Sequence, residues 1–173
     1  AGLRAKTVKQ WRATTQSQPR FPVAANTRDR AFTVDAPNRV WAGDITYVWT
    51  MEGWLYRAVL LDLYARRVVG WAMGQRLTVD LAEWALTRAR ANRAPTAWLL
   101  HHSDRGSQYA ATRYQRVLKG YGLIPSMSRK GHGWDNACVE CFFGILTREL
   151  VYHRRYATRE EATPDIFEDI EVF

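Results

Sequence analysis

Apolar and polar residues alternate along the chain from about residue 39, and this alternation predicts the first part of the fold. Trp41 and Ile45 fall on one face of an extended run, while Ala42 and Asp44 fall on the other, which is the period of a half-buried β-strand. Two further apolar runs follow after short turns, so an antiparallel meander is predicted. The three strands of this meander are predicted at residues 39–49, WLYRAVLLDLY and VVGWAM.

Helical spacing replaces the alternation after the third predicted strand. Thr78 offers an N-cap and Asp80 favours the helix dipole, so a helix is predicted to about Asn92. The run TAWLLHH has no polar alternation, which is typical of a buried parallel strand. The remaining predicted elements are a helix over 112–119, the strand LIPSMS, the loop RKGHGWD, a helix over Asn136–Leu150, and a last helix that Thr158 and Glu161 open as a capping box. The pattern predicts an α/β fold with a mixed five-stranded sheet, three antiparallel strands and then two parallel ones, flanked by helices.

Three carboxylates stand out because of where these elements place them. Asp44 lies within the first strand, Asp104 lies just beyond the carboxyl end of the parallel strand, and Glu140 lies within the helix predicted over 136–150. Taken singly, each has an ordinary role: an edge or bulge residue, a turn cap and a solvated helix residue. Brought within a few ångströms, three ionised carboxylates require a cation, and hard oxygen ligands select Mg²⁺ or Mn²⁺.

The charge of the chain favours a polyanionic partner. The 173 residues carry a net charge of +8, and most of the 25 basic residues are arginines, which can clamp phosphate in a bidentate manner. Residues 1–35 hold seven of these cations against Asp29 and Asp35. A generally basic, solvated surface is the alternative, and charge alone leaves both interpretations open.

Cysteine usage and hydropathy exclude several other classes. Cys138 and Cys141 form a C-x-x-C pair on a predicted helix, without further ligands at zinc spacing and without the strand-to-helix context of a redox pair. We interpret them as ordinary reduced thiols of a cytoplasmic protein. No apolar run approaches the ~20 residues of a membrane span, and no signal peptide is visible, so no membrane partner is expected.

Four blocks follow one another in the sequence: WAGDITY, DLYARRVVGW, HHSDRGSQY and DNACVECFFGILTREL. Together with the 35 residues that separate Asp104 from Glu140, they resemble the integrase core of bacterial insertion-sequence transposases, a group related to retroviral integrases. The resemblance implies an RNase H-like fold and an Asp-Asp-Glu catalytic triad of Asp44, Asp104 and Glu140. It also implies metal-dependent cleavage and transfer of DNA strands, with two Mg²⁺ or Mn²⁺ ions held by the triad.

The resemblance also implies the partners. They are the DNA ends of a mobile element and its target DNA, bound by a homo-oligomer that acts at the bacterial nucleoid. Candidate DNA contacts lie in the loop before the Glu140 helix and on that helix: Lys130, His132, Trp134, Asn136 and Arg148. Cations with an aromatic residue suit backbone contact and base stacking, although Trp134 could equally be a hydrophobic staple for the helix.

The composition shifts along the chain suggest three parts. We expect a basic arm or linker over residues 1–37, a catalytic core over 38–155 and a C-terminal helical segment over 156–173. The chain begins without Met and ends inside an amphipathic pattern, so it is expected to be a fragment of a longer protein. The resemblance implies a helix-turn-helix DNA-binding region upstream.

Several neighbours of the triad have less certain roles. Asp62 could lie near the site or pair with Arg66 as a structural residue. His101 and His102 precede Asp104, but the resemblance gives neither of them a ligand role.

The sequence departs from the family pattern at three positions. Gly43 stands where Thr is more usual and could loosen the strand, Thr147 replaces a usual Lys, and Pro164 could kink the last helix. None of these departures touches the triad. Two rival functions stay open beside the transposase. One is a nuclease of the same fold acting on RNA–DNA hybrids or junctions, and the other is a non-catalytic DNA-binding remnant.

Overall fold

The computed structural model of the chain describes residue 24, residues 34–128, residue 144 and residues 154–172. The strands are β1 (Val40–Thr50), β2 (Gly53–Asp62), β3 (Arg67–Gly74), β4 (Leu100–Ser103) and β5 (Ile124–Met127). The helices are α1 (Val79–Arg93), α2 (Ser107–Ala110), α3 (Thr112–Gly120) and α4 (Arg159–Val172). The predicted meander, the first helix, both parallel strands and the last helix are therefore confirmed.

The strands form one sheet in the order β3-β2-β1-β4-β5. β2 pairs antiparallel with β1 and β3, whereas β4 pairs parallel with β1 and β5. The mixed sheet that the sequence predicts is thus confirmed. Because β4 lies next to β1, the crossover through α1 places the first parallel strand beside the strand that carries Asp44.

Each face of the sheet covers its own hydrophobic cluster, as the alternation along β1 requires. The first cluster lies under α1 and α3 and includes Trp41 and Leu81. The second cluster lies under α4 and includes Ala42, Val48 and Ile166. The two faces of β1 are therefore both buried near its start, and the strand is fixed in register from both sides.

α1 also covers the free edge of the sheet. The Arg88 side chain donates a hydrogen bond to the Trp71 carbonyl at 3.0 Å, and the Asn92 amide donates one to the Val69 carbonyl at 3.2 Å. Both acceptors belong to the edge strand β3, whose outward carbonyls would otherwise offer a template for another strand. These two side chains therefore protect the edge while they fasten the helix to it.

The helix ends differ in detail from the predictions. Thr78 occupies the N-cap position of α1, but its hydroxyl makes no capping hydrogen bond. At the start of α4, the Thr158 hydroxyl accepts the Glu161 N–H at 3.0 Å, as predicted. The Glu161 carboxylate accepts the Ala157 N–H at 2.8 Å, rather than that of Thr158, so the capping box forms with its second bond shifted by one residue.

Pro164 lies inside α4 without ending it, because the assigned helix runs unbroken from Arg159 to Val172. The interruption expected from this proline is therefore not seen. Apart from Gly144, which is helical, the helix predicted over 136–150 lies outside the described residues. The boundaries expected near residues 37 and 155 stay predictions. None of the helices in the described ranges is both long and apolar enough to cross a membrane.

Candidate active site

The pairing of β1 with β4 brings Asp44 close to Asp104. The two strands are parallel, and their register runs from Val40 opposite Leu100 to Gly43 opposite Ser103. Asp44 and Asp104 each follow the last of these pairs, so they take the next position along two neighbouring chains. Adjacent strands lie about 4.8 Å apart, so the two aspartates lie side by side where β4 ends.

Asp104 is held by the turn that follows β4. Its Oδ1 atom accepts a hydrogen bond from the Gly106 N–H at 2.9 Å. A Cβ atom on residue 106 would lie 2.9 Å from the same Oδ1, so the close approach of backbone and carboxylate requires a glycine. Burial raises the pKa of Asp104, and the Gly106 bond opposes this shift to a smaller extent. The ionised carboxylate is therefore poorly solvated, which favours a bound cation.

Asp44 is oriented in a similar way. Its Oδ1 atom accepts the N–H of the next residue, Ile45, at 2.8 Å, and the side chain is partly buried. The residue before it, Gly43, is buried, and a Cβ atom there would meet His101 Nε2 at 3.3 Å and the Tyr109 hydroxyl at 3.4 Å. Gly43, one of the three departures from the family pattern, thus occupies a position with little room for a larger side chain. The strand β1 continues through it without a break.

Tyr109 is a site residue for which no sequence pattern indicated a role. It belongs to the short helix α2, which was not predicted either, and only 2% of its surface is exposed. Its pKa is raised well above the usual value by burial first, and then by Tyr114, Asp44 and Asp104. The phenol therefore keeps its proton, and it packs in the first cluster, on the face of β1 that Gly43 shares with Trp41. The only signal in the sequence is its place within the block HHSDRGSQY.

The two histidines before Asp104 are structural. His101 Nε2 lies 2.9 Å from the Tyr114 hydroxyl, and burial lowers the pKa of His101 to about 4. His102 Nδ1 lies 3.0 Å from the Ser126 hydroxyl, and its Nε2 lies 3.3 Å from that of Ser128. The His101 imidazole thus contacts α3, and the His102 imidazole contacts β5 and the residue that follows it. Both have structural partners, in agreement with the absence of a ligand role.

Asp62 is a buried structural residue. Its carboxylate accepts the N–H groups of Asn38 at 2.7 Å, Tyr64 at 2.9 Å and Ala65 at 3.2 Å. Its contact with Arg66 is a backbone bond, in which the Arg66 N–H donates to the Asp62 carbonyl at 2.8 Å. The structural interpretation of Asp62 is therefore correct, but backbone amides take the place expected for the Arg66 side chain.

The third predicted carboxylate, Glu140, lies outside the described residues, and its position stays a prediction. The same holds for the five predicted DNA contacts, Lys130, His132, Trp134, Asn136 and Arg148. In the ranges that the structure describes, no group of three His, Cys, Asp or Glu residues gathers to hold a metal ion. The described part of the site is therefore the Asp44–Asp104 pair.

This arrangement fits a divalent cation. Two partly buried carboxylates side by side repel each other when both are ionised, and a cation between them removes that repulsion. Their oxygens are hard ligands of the kind that Mg²⁺ and Mn²⁺ prefer. Burial raises the pKa of Asp104, so its ionised form gains more from a bound cation than it would in water.

A mixed sheet of this strand order, with helices on both faces, one aspartate within β1 and another just after the adjacent parallel strand β4, is typical of the RNase H-like class of α/β proteins. Within that class, the chain belongs to the integrase core domain family, whose model matches residues 34–133. The match includes both Asp44 and Asp104.

Curated relatives place the chain more narrowly. It is 47% identical over 171 residues to the insertion element IS600 uncharacterized 31 kDa protein of Shigella sonnei, covering 99% of this chain and 63% of the relative. It is 42% identical over 170 residues to the transposase InsF for insertion sequence IS3A of Escherichia coli, covering 98% of this chain and 59% of the relative. The chain therefore spans about three fifths of the length of these relatives.

Solved structures agree on the fold. The chain is similar to a chain of the simian T-cell lymphotropic virus intasome solved in complex with PP2A regulatory subunit B56 gamma, with a TM-score of 0.61 and 22% identity over 76% of this chain and 44% of that one. It is also similar to the HTLV-2 integrase catalytic core domain in complex with magnesium, in its dimeric form. That TM-score is 0.54, with 20% identity over 65% of this chain and 69% of the other.

Proposed function

We propose that this chain is the catalytic core of an insertion-sequence transposase, which cleaves DNA strands and joins them to a target. The observation that carries the proposal is that Asp44 and Asp104 each follow directly on Gly43 and Ser103, the last matched pair of two parallel strands. The integrase core match and the transposase relatives support the same activity. The magnesium in a structurally similar integrase core supports a divalent metal.

Asp44, Asp104 and Glu140 are the residues that would hold two Mg²⁺ or Mn²⁺ ions. When bound, such ions lower the pKa of the attacking hydroxyl and stabilise the leaving oxygen at phosphorus. With a water as the nucleophile a DNA end would be cut, and with a DNA 3′-hydroxyl it would be joined to another strand. The same carboxylates can serve both reactions, because only the nucleophile changes.

The described residues of the chain prepare this site. The Gly106 and Ile45 amides orient the two carboxylates, and the buried His101–Tyr114 hydrogen bond stabilises the strand and helix around them. Arg105, the residue after Asp104, donates from Nε to the Ser128 carbonyl at 2.6 Å and so fastens the turn to the end of β5. The carboxylates are therefore held in place before any ligand arrives, which reduces the cost of ordering them.

The proposed partners follow from the same activity. DNA, as element ends and as target, suits the net charge of +8. Assembly as a homo-oligomer is supported by the similar integrase cores, one from an intasome and one in a dimeric form. Action on bacterial DNA would place the protein at the nucleoid in the cytoplasm.

The test is a DNA cleavage and joining assay on the variants Asp44→Asn, Asp104→Asn and Glu140→Gln. Each should abolish both reactions while the circular dichroism spectrum stays unchanged, and double substitutions should cost little more than single ones. Asp80→Asn is the matched control, because Asp80 is a partly exposed carboxylate in the first turn of α1, paired with Arg113 at 2.7 Å. A triad variant with normal activity would remove that residue from the site, and cut but unjoined products would favour the nuclease.

A further inference from the structure

Trp98 combines a left-handed backbone with a side chain that faces water. Its φ is 78°, a value that bulky residues rarely adopt, and 78% of its surface is exposed. The Trp98 N–H donates a hydrogen bond to the Gly122 carbonyl at 3.0 Å, which helps to hold this conformation. Strained backbone persists only where the surrounding structure imposes it, and it is concentrated at functional sites. Because most of the indole is exposed, burial of the ring does not offset the strain, and a ligand is the reason to look for.

Cations occupy the same end of the molecule as Trp98. Arg90 and Arg93 lie in the last turn of α1, which leads towards Trp98, and Lys119 lies in the last turn of α3. The Gly122 N–H donates to the Lys119 carbonyl at 3.0 Å, so Gly122 links the end of α3 to Trp98. The three cations are exposed, and none of them forms an ion pair within the described ranges. Their charges are therefore available to a ligand from solution.

Tyr121 fixes one of these cations. The Arg90 guanidinium carbon lies 4.5 Å from the centre of the Tyr121 ring, in a cation–π contact. The ring covers one face of the guanidinium, while the N–H groups at its edge can still donate to phosphate oxygens. We call the surface formed by Arg90, Arg93, Trp98, Lys119 and Tyr121 the basic end.

The charge around the basic end is strongly positive. From residue 84 to residue 128 the chain holds seven Lys and Arg residues and a single acid, Asp104. Among the seven, Arg113 is neutralised by Asp80 and Glu83 of α1. Asp104 follows β4, whereas the basic end precedes β4 and β5, so about 13 Å of strand separates them. The basic end therefore suits an anionic partner, on a surface separate from the carboxylate pair.

Resting on the proposed function only for the choice of DNA as the ligand, we propose that the basic end binds single-stranded DNA. Its three cations neutralise phosphates, and an unpaired base stacks on the Trp98 ring. In a duplex the faces of the bases are covered by one another, so an exposed indole has no base face to meet. A single strand offers both the phosphates and the base faces that this surface fits. A strand released by cleavage at the active site is the ligand that the proposed function supplies.

Trp98→Ala tests the stacking, because it removes the ring and keeps every charge. The affinity for oligothymidylate should fall about tenfold, while the affinity for a blunt duplex should change less than about twofold. Trp98→Phe keeps an aromatic face and should retain most of the affinity. Trp84→Ala is the matched control, because Trp84 is a 55% exposed tryptophan of α1 outside the basic end. Its loss should leave both affinities unchanged.

The charges are tested by the double variant Arg93→Gln with Lys119→Gln. The plot of log affinity for oligothymidylate against log salt should flatten by about 0.7 for each phosphate that is no longer neutralised. Arg76→Gln with Arg155→Gln removes the same charge from exposed positions outside the basic end, so its slope should equal that of the wild type. Equal slopes in the two double variants would overturn the proposal.

Trp98→Gly separates a binding role from a structural one. Glycine adopts a φ of 78° without strain, so Tm should stay equal or rise while the affinity for oligothymidylate falls as in Trp98→Ala. A clear fall in Tm would mean that the indole stabilises the fold, and that its strained backbone needs no ligand to explain it.

The experiment measures fluorescence anisotropy of labelled oligothymidylate and of labelled duplex with the full chain in EDTA, so that no metal site contributes. Asp44→Asn is measured alongside, in EDTA for binding and with Mg²⁺ for cleavage. If Asp44→Asn loses cleavage but Trp98→Ala binds oligothymidylate as the wild type does, only the basic end is overturned. If Asp44→Asn cleaves normally while Trp98→Ala loses oligothymidylate alone, the proposed active site is wrong and the basic end is supported. Equal losses of single strand and duplex in Trp98→Ala would contradict stacking on an unpaired base.

Discussion

At the scale of single residues, main-chain amides orient both aspartates of the site. The Gly106 N–H contacts Asp104, and the Ile45 N–H contacts Asp44. A neutral amide fixes the direction of a carboxylate without removing its charge. The charge therefore remains to attract a cation, and burial of Asp104 makes that attraction stronger than it would be in water.

Gly106→Ala tests this arrangement at its tightest contact. The new methyl group would lie 2.9 Å from Asp104 Oδ1, so the carboxylate must move. The backbone at Gly106 has a φ of −55°, which alanine adopts without strain, so the effect should come from the contacts of the new methyl group, first with the carboxylate and then with Gln108 Oε1 at 3.3 Å. We expect Mn²⁺ affinity and DNA cleavage to fall about tenfold or more while Tm changes little.

Gly120→Ala provides the control for this prediction. Gly120 ends α3, and a Cβ atom there would meet no atom within 4 Å, so binding and cleavage should remain at the wild-type level. If Gly106→Ala matched Gly120→Ala in Mn²⁺ affinity, the turn after β4 would not be what positions Asp104.

At the scale of the elements, local pattern explains which predictions succeed. The meander was predictable because alternation in β1 and the turn at Glu52-Gly53 both lie within a few residues. The register that pairs Gly43 with Ser103, and so brings Asp44 close to Asp104, joins residues far apart in the chain, which no local pattern encodes. α2 has four residues, too few for a helical period to show, and so Tyr109 gave no sign of burial.

The predictions for individual residues likewise succeeded where the signal is local in the sequence. The sequence indicated Asp44 and Asp104 because the alternation around Asp44, the strand end before Asp104 and the order of the motif blocks are all readable from the residues. The three hydrogen bonds from backbone amides to the Asp62 carboxylate could not be predicted from the sequence. Two of the amides belong to the following turn, and the third belongs to Asn38 on another segment. The triad as a whole stays a prediction until Glu140 is placed.

α4 is a structural part of the core rather than an appendage, and Ile166→Ala tests this. Ile166 is fully buried in the second cluster, so truncating it should lower the free energy of unfolding by about 2–5 kcal/mol. Phe167→Ala, one residue further on, removes a half-exposed ring that touches Trp71, and should cost less than about 1.5 kcal/mol. Urea unfolding of both variants decides the matter, and equal small effects would mean that α4 is not part of the cooperative core.

At the scale of the whole molecule, the basic N-terminal segment is expected to bind DNA backbone without regard to sequence. Deleting residues 1–23 removes five Lys and Arg residues but keeps Ala24, which packs against the first cluster. DNA affinity should fall for all sequences. The plot of log affinity against log salt should flatten by about 0.9 for each phosphate that the shortened protein no longer neutralises.

A full-length variant with Gln at the same five positions separates charge from chain length. These positions are Arg4, Lys6, Lys9, Arg12 and Arg20. The flattening should be the same in both proteins, because counterion release depends on charge. Slopes that superimpose on the wild type would show that this segment does not meet the DNA.

The most direct test of the central claim is a crystal structure of the full chain grown with Mn²⁺, with diffraction recorded at the manganese absorption edge. The account predicts an anomalous peak within coordination distance, about 2 Å, of carboxylate oxygens from both Asp44 and Asp104, with Glu140 completing the site. A chain that binds Mn²⁺ elsewhere, or crystals saturated with Mn²⁺ that show no peak between the two aspartates, would contradict it.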